Sequence, residues 1–504
     1  MKKFSFFFSL FILASATYFS ACNNSSSNST TKTVTDTKVT DIQPTSKSAA
    51  ALASFHEGMA SLDIGDVKNA RASFTKAIEQ DPQFGMAYLM RANVAASAKQ
   101  FADDIAKGKV NLDSASTWEK MYADFQATNL TDDRNKGIEI AQKMATENPD
   151  AARAQADLGN AYTGNNQFDK AREAFQKAIQ LNPAWVGGYT GLTNSYLFFE
   201  PKDLKKAEDN ALKIAAMAPK SAGAQIVLGD VYRAQNDFNK AKAAYTKGVE
   251  LNTEAPEAYY KLGHANTYLG NLEEARKNYA DGGMHDITKT GSVLNTAYTY
   301  LYGGDQKASI KYLMNEMTKM DAMGAKESVA NEKNNMLTTI AAIAMHIGDA
   351  ATLKQVEPMI KATSDQITKD LGNTDEAKVF AVADTLHWQA MIAMAEAKYD
   401  NAKANEESMK AVLSPLKDDR KLEGYYADMG MINMKEKKYT DAISNFEKAD
   451  PNSIYNKYQL AKANEAAGNK EKAMVLYKEV AAYNFNDVGN ALVRSEVKKK
   501  IATP

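Results

Sequence analysis

A pattern that returns in register along the chain limits its fold more than anything else in the sequence. Between Gln155 and Trp185 the order is Leu158-Gly159-x-x-Tyr162, then Ala171, Phe175 and Ala178, then Pro183. Gly58, Ala70, Phe74, Ala77 and Pro82 fit the same frame. So do Leu192, Tyr196, Ala207, Ile214 and Pro219, with two extra residues around Glu200-Pro201. Leu228, Gly229, Tyr232, Ala241 and Tyr245 follow; Leu262, Gly263, Ala275 and Tyr279 come next, with Gly263 34 residues on from Gly229. Met429, Gly430, Ala442, Phe446 and Ala449 match again, then Leu460, Ala461, Ala473 and Tyr477. A period of this size points to stacked helical units, each too small to bury its own apolar face. A chain of 504 residues is also too long for one core. The spacing has a steric logic. Gly or Ala at a helix crossing lets two backbones approach, and Tyr or Phe fills the groove one turn away. Gly164-Asn165-Asn166, Gly270-Asn271 and Gly468-Asn469 read as turns between paired helices, and Pro after Asn or Asp stops the second helix.

These positions resemble the tetratricopeptide repeat (TPR), with the early Trp replaced by Gln155. The resemblance implies an all-α fold, a TPR α-solenoid wound as a right-handed superhelix of helix-turn-helix repeats. It also implies a concave groove lined by the first helix of each repeat, where the family contacts its ligands. In this chain the ninth repeat position is Asn160, Asn194, Asp230 and His264 in four successive repeats, with Arg153, Arg233, Tyr260 and Lys261 nearby. Asn there resembles the family's peptide-holding residue, whose amide can hydrogen-bond an extended backbone. The partner expected is therefore a protein or a peptide. The Lys and Arg ladder of an acidic-tail clamp is incomplete, so a C-terminal carboxylate is not the expected ligand.

The clean repeats are interrupted by diverged stretches that keep helical periodicity, giving roughly eleven or twelve repeats in all. The chain divides into an N-terminal TPR superhelix over 51–285, diverged helical repeats over 286–415, C-terminal TPR repeats over 416–486, and a last helix over 487–504. That helix carries Lys498-Lys499-Lys500 and reads as a polar cap on the open end of the stack. The methionines at 314, 317, 320, 323, 336 and 345 read as core.

Ahead of the repeats, Lys2 and Lys3 precede a short apolar stretch from Phe4 to Ala16. That is too short to span a bilayer, which takes about 20 apolar residues, and it reads as a signal peptide over 1–21. It closes on Phe19-Ser20-Ala21-Cys22, which resembles the bacterial lipobox with Phe in place of the usual Leu. The resemblance is to lipoproteins of Gram-negative bacteria, Bacteroidetes-like, and it implies cleavage before Cys22 and lipidation of Cys22. Several acyl chains, at about 0.8 kcal/mol per buried CH₂, hold such a protein on a membrane. Residues 22–50 then read as a flexible, disordered tether: half of 23–48 is Ser or Thr. Its r.m.s. span is roughly 25–30 Å. Asn23, rather than Asp, after the cysteine favours the outer membrane, with the body facing the periplasm.

Lys+Arg is 61 against Asp+Glu 62, so no basic surplus points to nucleic acid. The lone cysteine excludes an internal disulfide framework. The five histidines show no metal-binding helix spacing, and neither a phosphate loop nor a nucleophile elbow occurs. No metal, no cofactor and no enzymatic activity are expected. The leading expectation is a membrane-anchored scaffold for protein-protein interaction in the cell envelope. The alternative is glycan capture beside a transporter, as in SusD-like outer-membrane lipoproteins. Those are rich in exposed aromatics, whereas this chain has three Trp.

Overall fold

The structure is a computed structural model that describes residues 43–502, apart from 64, 132, 287 and 323–328. The signal peptide, Cys22 and most of the tether lie outside the described residues. Among those described there are 25 helices and no strand. They run as twelve antiparallel pairs and a last single helix. The first four pairs are α1 (Ala49–Asp63) with α2 (Val67–Gln80), α3 (Gly85–Ala92) with α4 (Ala98–Val110), α5 (Thr117–Thr131) with α6 (Arg134–Glu147), and α7 (Ala152–Gly164) with α8 (Phe168–Leu181). Next come α9 (Val186–Phe198) with α10 (Leu204–Met217), α11 (Ala222–Ala234) with α12 (Phe238–Leu251), α13 (Pro256–Tyr268) with α14 (Leu272–His285), and α15 (Thr290–Tyr302) with α16 (Gln306–Ala322). The remaining pairs are α17 (Ala330–Ile347) with α18 (Ala350–Asp370), α19 (Asp375–Ala395) with α20 (Tyr399–Leu413), α21 (Glu423–Lys435) with α22 (Tyr439–Lys448), and α23 (Ile454–Ala466) with α24 (Lys470–Ala482). The chain closes on α25 (Val488–Ala502).

The repeat frame explains this regularity. The turns carry left-handed residues where the sequence puts Asn or Gly, with φ of 56° at Asn166, 66° at Asn236 and 84° at Gly270. Asp203 and Asp237 cap the second helices of their pairs by accepting from the backbone N–H of Lys206 and Lys240. The small positions sit at the crossings. The ring of Phe175, 2% exposed, lies between Gly159 of its own pair and Gly191 of the next. A Cβ at Gly159 would stand 2.8 Å from Cε1 of Phe175. With glycine on both sides the ring has nowhere to move. Gly159→Ala should therefore cost about 1–3 kcal/mol through overpacking. The gain in helix propensity returns at most about 1 kcal/mol. Thermal melting of the variant should show a lower midpoint; an unchanged or raised one would mean the ring yields freely.

The solenoid also touches itself. α4 of the second pair packs on α18 of the ninth, where Ala98, Ala330, Ile367 and Leu371 form one buried cluster. Lys68 pairs with Glu254 at 2.7 Å, Arg420 donates to the Gly164 carbonyl at 3.2 Å, and Asn452 donates to Asn166 Oδ1 at 3.4 Å. Successive turns of the superhelix are thus tied along its axis. At the other end the chain enters the fold under a clamp: the Thr45 N–H and hydroxyl donate to the buried Glu119 carboxylate at 2.8 and 2.7 Å.

The diverged stretch 286–415 keeps the paired-helix plan. Met317, Met336 and Met345 are buried in its core. The last helix differs from the expected polar cap. Lys498, Lys499 and Lys500 are exposed, but Ala491, Leu492, Val493 and Val497 are buried. This face packs on α15, α17 and α23, each the first helix of its pair. The physical reason is that α25 has an apolar stripe on one side, and the inner wall of the superhelix offers an apolar surface to cover it. His346 on α17 fastens it further, with Nε2 3.2 Å from Glu496 and Nδ1 3.1 Å from the Tyr455 hydroxyl.

Candidate partner groove

The first helices of the pairs line the inner wall, so α7, α9, α11 and α13 place the sequence-predicted residues there. The wall is not bare. Residues 483–487, between α24 and α25, run across it. Asn484 donates to Asn236 Oδ1 at 2.7 Å. The Asn486 amide donates to Asn295 Oδ1 at 2.8 Å and lies 3.2 Å from His264 Nδ1. The Phe485 ring packs 4.5 Å from that of Phe198 and lies under the Arg233 guanidinium at 4.7 Å. Asn490 donates to the Tyr268 hydroxyl at 3.1 Å. Arg494, buried, holds the segment's own backbone, donating to the Tyr483 carbonyl at 2.7 Å and to Asn484 Oδ1 at 2.8 Å; its guanidinium lies 4.6 Å from the Tyr268 ring.

Under this segment Asp230 and Arg233 form a buried ion network. Asp230 accepts from the Tyr245 hydroxyl at 2.6 Å and from Lys261 at 3.0 Å, and Arg233 stands 3.0 Å away. Burial pushes the Asp230 carboxyl up, but the charges of Lys261 and Arg233 and the Tyr245 hydrogen bond outweigh it and hold the carboxyl below its usual range. Arg233 is 1% exposed, and its Nε and Nη1 lack a hydrogen-bond partner among the described residues. The Phe485 ring is what meets that open face of the guanidinium.

His264 sits beside this network, with Nδ1 3.0 Å from the Tyr279 hydroxyl. Burial, then the charges of Arg233 and Lys261, push its pKa well below the ordinary 6.5. A neutral ring can accept from Asn486 at Nδ1 when the Tyr279 hydroxyl donates instead to Thr267 Oγ1, 3.0 Å away. Release of the segment relieves part of the burial, while Arg233 and Lys261 stay beside the ring, so the released imidazole takes up a proton more readily than the docked one does. The docked state is therefore fully favoured where both rings are neutral and weakens as pH falls and the released ring charges first. Limited proteolysis of residues 483–502 should speed up between pH 7.5 and 5, and His264→Gln should flatten that dependence; a profile identical to wild type would remove His264 from the effect.

The other predicted residues fall in different surroundings. Arg153 pairs with Asp63, Nη1 to Oδ1 at 2.9 Å, and lies over the Trp185 ring at 4.9 Å. Asn160 is half-buried, with Oδ1 lacking a hydrogen-bond partner among the described residues, and Asn194 is buried. Tyr260 turns away from the wall into the slot left by Gly282 and Gly291, and its hydroxyl donates to Asp286 at 2.8 Å. The groove residues that the sequence reading passed over are Asn236 and Asn295, on a turn and off the ninth position. The C-terminal Asn484-Phe485-Asn486 that meets them carries no repeat signal at all. The three tryptophans are engaged in packing: Trp118 stacks on Tyr122, Trp185 carries Arg153, and Trp388 is 5% exposed.

Several of the helix pairs and glycine-aromatic crossings fall in stretches that known families match. Tetratricopeptide repeat models match residues 55–116, 152–184 and 256–281, and a TPR repeat model matches 229–267. The chain carries TPR repeats over these residues. Tetratricopeptide repeat protein 6 of Homo sapiens is 25% identical over 174 residues, covering 34% of this chain; the chain spans 29% of that relative's length. Among solved structures, a thermophilic TPR protein from Thermus thermophilus is 19% identical, with a TM-score of 0.33, covering 37% of this chain and 100% of its own. YrrB, described as a TPR protein with an unusual peptide-binding site, is 24% identical, with a TM-score of 0.26, covering 35% of this chain and 90% of its own. MamA is 22% identical, with a TM-score of 0.27, covering 33% of this chain and 96% of its own. No helix among the described residues is long and apolar enough to cross a membrane.

Proposed function

We propose that this TPR protein is a lipid-anchored scaffold of the bacterial cell envelope, held at the periplasmic face of the outer membrane through Cys22. Its inner wall takes an extended segment of a protein partner. The observation that supports the groove is its internal occupant: Asn484-Phe485-Asn486 lies across three repeats, an aromatic ring on Arg233 and side-chain amides on Asn236, His264 and Asn295. A partner of like chemistry, an aromatic flanked by amide side chains, competes for the same places. The wall contributes amide acceptors and one cation-π seat, a set suited to binding and with no nucleophile activated by a base.

Two measurements test this. Crosslinking in cells should recover a partner, and Asn236→Ala with Asn295→Ala should cut its recovery at least about tenfold, the loss of two hydrogen bonds, at unchanged helical circular dichroism. Full recovery would place the partner elsewhere. Cys22→Ser should move the protein from the membrane to the soluble fraction; unchanged membrane association would refute the anchor.

A further inference from the structure

A second cluster stands apart from the groove, in the diverged repeats. His387 on α19, Glu406 on α20 and Asp428 on α21 each bring one ligand atom to within 4.8 Å of the others. All three residues are buried, at 4%, 0% and 3% exposure. His387 Nδ1 lies 2.7 Å from Asp428 Oδ2. Both carboxylate oxygens of Glu406 lack a hydrogen-bond partner among the described residues. An unsatisfied buried carboxylate is costly, and such groups are found paired, fully hydrogen-bonded or bound to a cation. The charged neighbours of Glu406 are Asp428 and Glu407, both acidic. Asp384, one turn before His387, adds another buried carboxyl, with Oδ1 accepting from Trp388 Nε1 at 3.1 Å. The pocket therefore gathers three carboxyl groups around a single imidazole, with Met409 and Ala383 in the apolar cluster beside it.

We propose that His387, Glu406 and Asp428 bind one divalent transition cation, Zn²⁺ or Mn²⁺, that ties α19, α20 and α21 together. One imidazole nitrogen with two carboxylates is a donor set for such ions, and the two carboxylates balance their charge. Ligand atoms lie about 2.0–2.2 Å from zinc, so they stand roughly 3–4 Å from one another around it. Atoms already within 4.8 Å reach that by small side-chain rotations. Three protein ligands leave a position for water. This departs from the sequence expectation of no metal. The ligands are 19 and 22 residues apart on separate helices, a spacing no local motif contains.

The test uses the full chain, stripped with chelator and dialysed, then titrated calorimetrically with Zn²⁺ or Mn²⁺ alone and optically with Co²⁺. One equivalent should bind, with visible Co²⁺ bands and a higher melting temperature. Glu406→Gln preserves shape while removing the charge, and it should weaken uptake at least about a hundredfold, the upper end of what the loss of a mere supporting group costs. Asp428→Asn should do the same and serves if the first variant fails to fold. His285→Gln, outside the cluster, should leave uptake unchanged. Substoichiometric uptake of both ions, or full uptake by Glu406→Gln, would overturn the proposal.

Discussion

Asp230→Ala is expected to destabilise the middle repeats by about 4 kcal/mol, the loss seen when one partner of a buried ion pair is removed. The reason is the fate of Arg233. Lys261 keeps Glu257 at 3.4 Å as a second partner. Arg233 has Asp230 as its carboxylate partner, and two of its three nitrogens already lack hydrogen bonds among the described residues. Without Asp230 a guanidinium 1% exposed to solvent is left charged and uncompensated. The Tyr245 hydroxyl loses its acceptor as well. Chemical denaturation followed by circular dichroism should show helix lost at lower denaturant than in the wild type. Asp230→Asn combined with Arg233→Met should recover most of the loss, because the cost lies in the stranded charge. If the double variant is as unstable as Asp230→Ala, packing rather than charge governs the site.

Arg494→Ala is expected to free the C-terminal segment from the inner wall at a cost of about 3 kcal/mol, from charged hydrogen bonds and a desolvated cation-π contact. Arg494 binds the carbonyls and the Asn484 side chain of residues 481–484, and so fixes the bend that presents Phe485 to Arg233. Hydrogen exchange should show residues 483–502 opening while α7 to α14 stay protected. A synthetic peptide of the chain's own residues 481–489 should bind the Arg494→Ala protein more tightly than the wild type, where it must first displace the chain's own segment. A peptide with Ala for Phe485 should bind at least about tenfold more weakly. Equal binding of both peptides would show that the segment covers the wall without being recognised by it.

The parts of this structure that the sequence reveals are those set by neighbours along the chain. Gly159 with Phe175, or Gly229 with Tyr245, lie within one helix pair, so a small residue and a ring at fixed spacing state the crossing outright. Asn166 and Asn236 mark turns for the same local reason. What the sequence hides is contact between distant pairs. Asp230, Arg233 and His264 carry the polar character of a ligand groove, but their burial is set by Phe485 and Asn486, more than 200 residues away. Tyr260 shares a helix with His264 and differs only because Gly282 and Gly291 leave a slot for its ring. The apolar stripe of α25 is readable; the wall it covers is not, since that wall exists only once the superhelix has closed. His387, Glu406 and Asp428 are each ordinary on their own helices and become a cluster only through the packing of three helices.

The clamp at Thr45 bears on mechanics. A solenoid pulled at its first helix would peel, one hydrogen bond yielding after another at low force. Here the chain enters by way of a carboxylate on the fifth helix, and Thr45 grips it with two donors at once. Tension on the residues ahead of it is delivered as shear into α5, two repeats inward. The first two repeats are thus bypassed, and the buried Glu119 carboxylate takes the strain in their place.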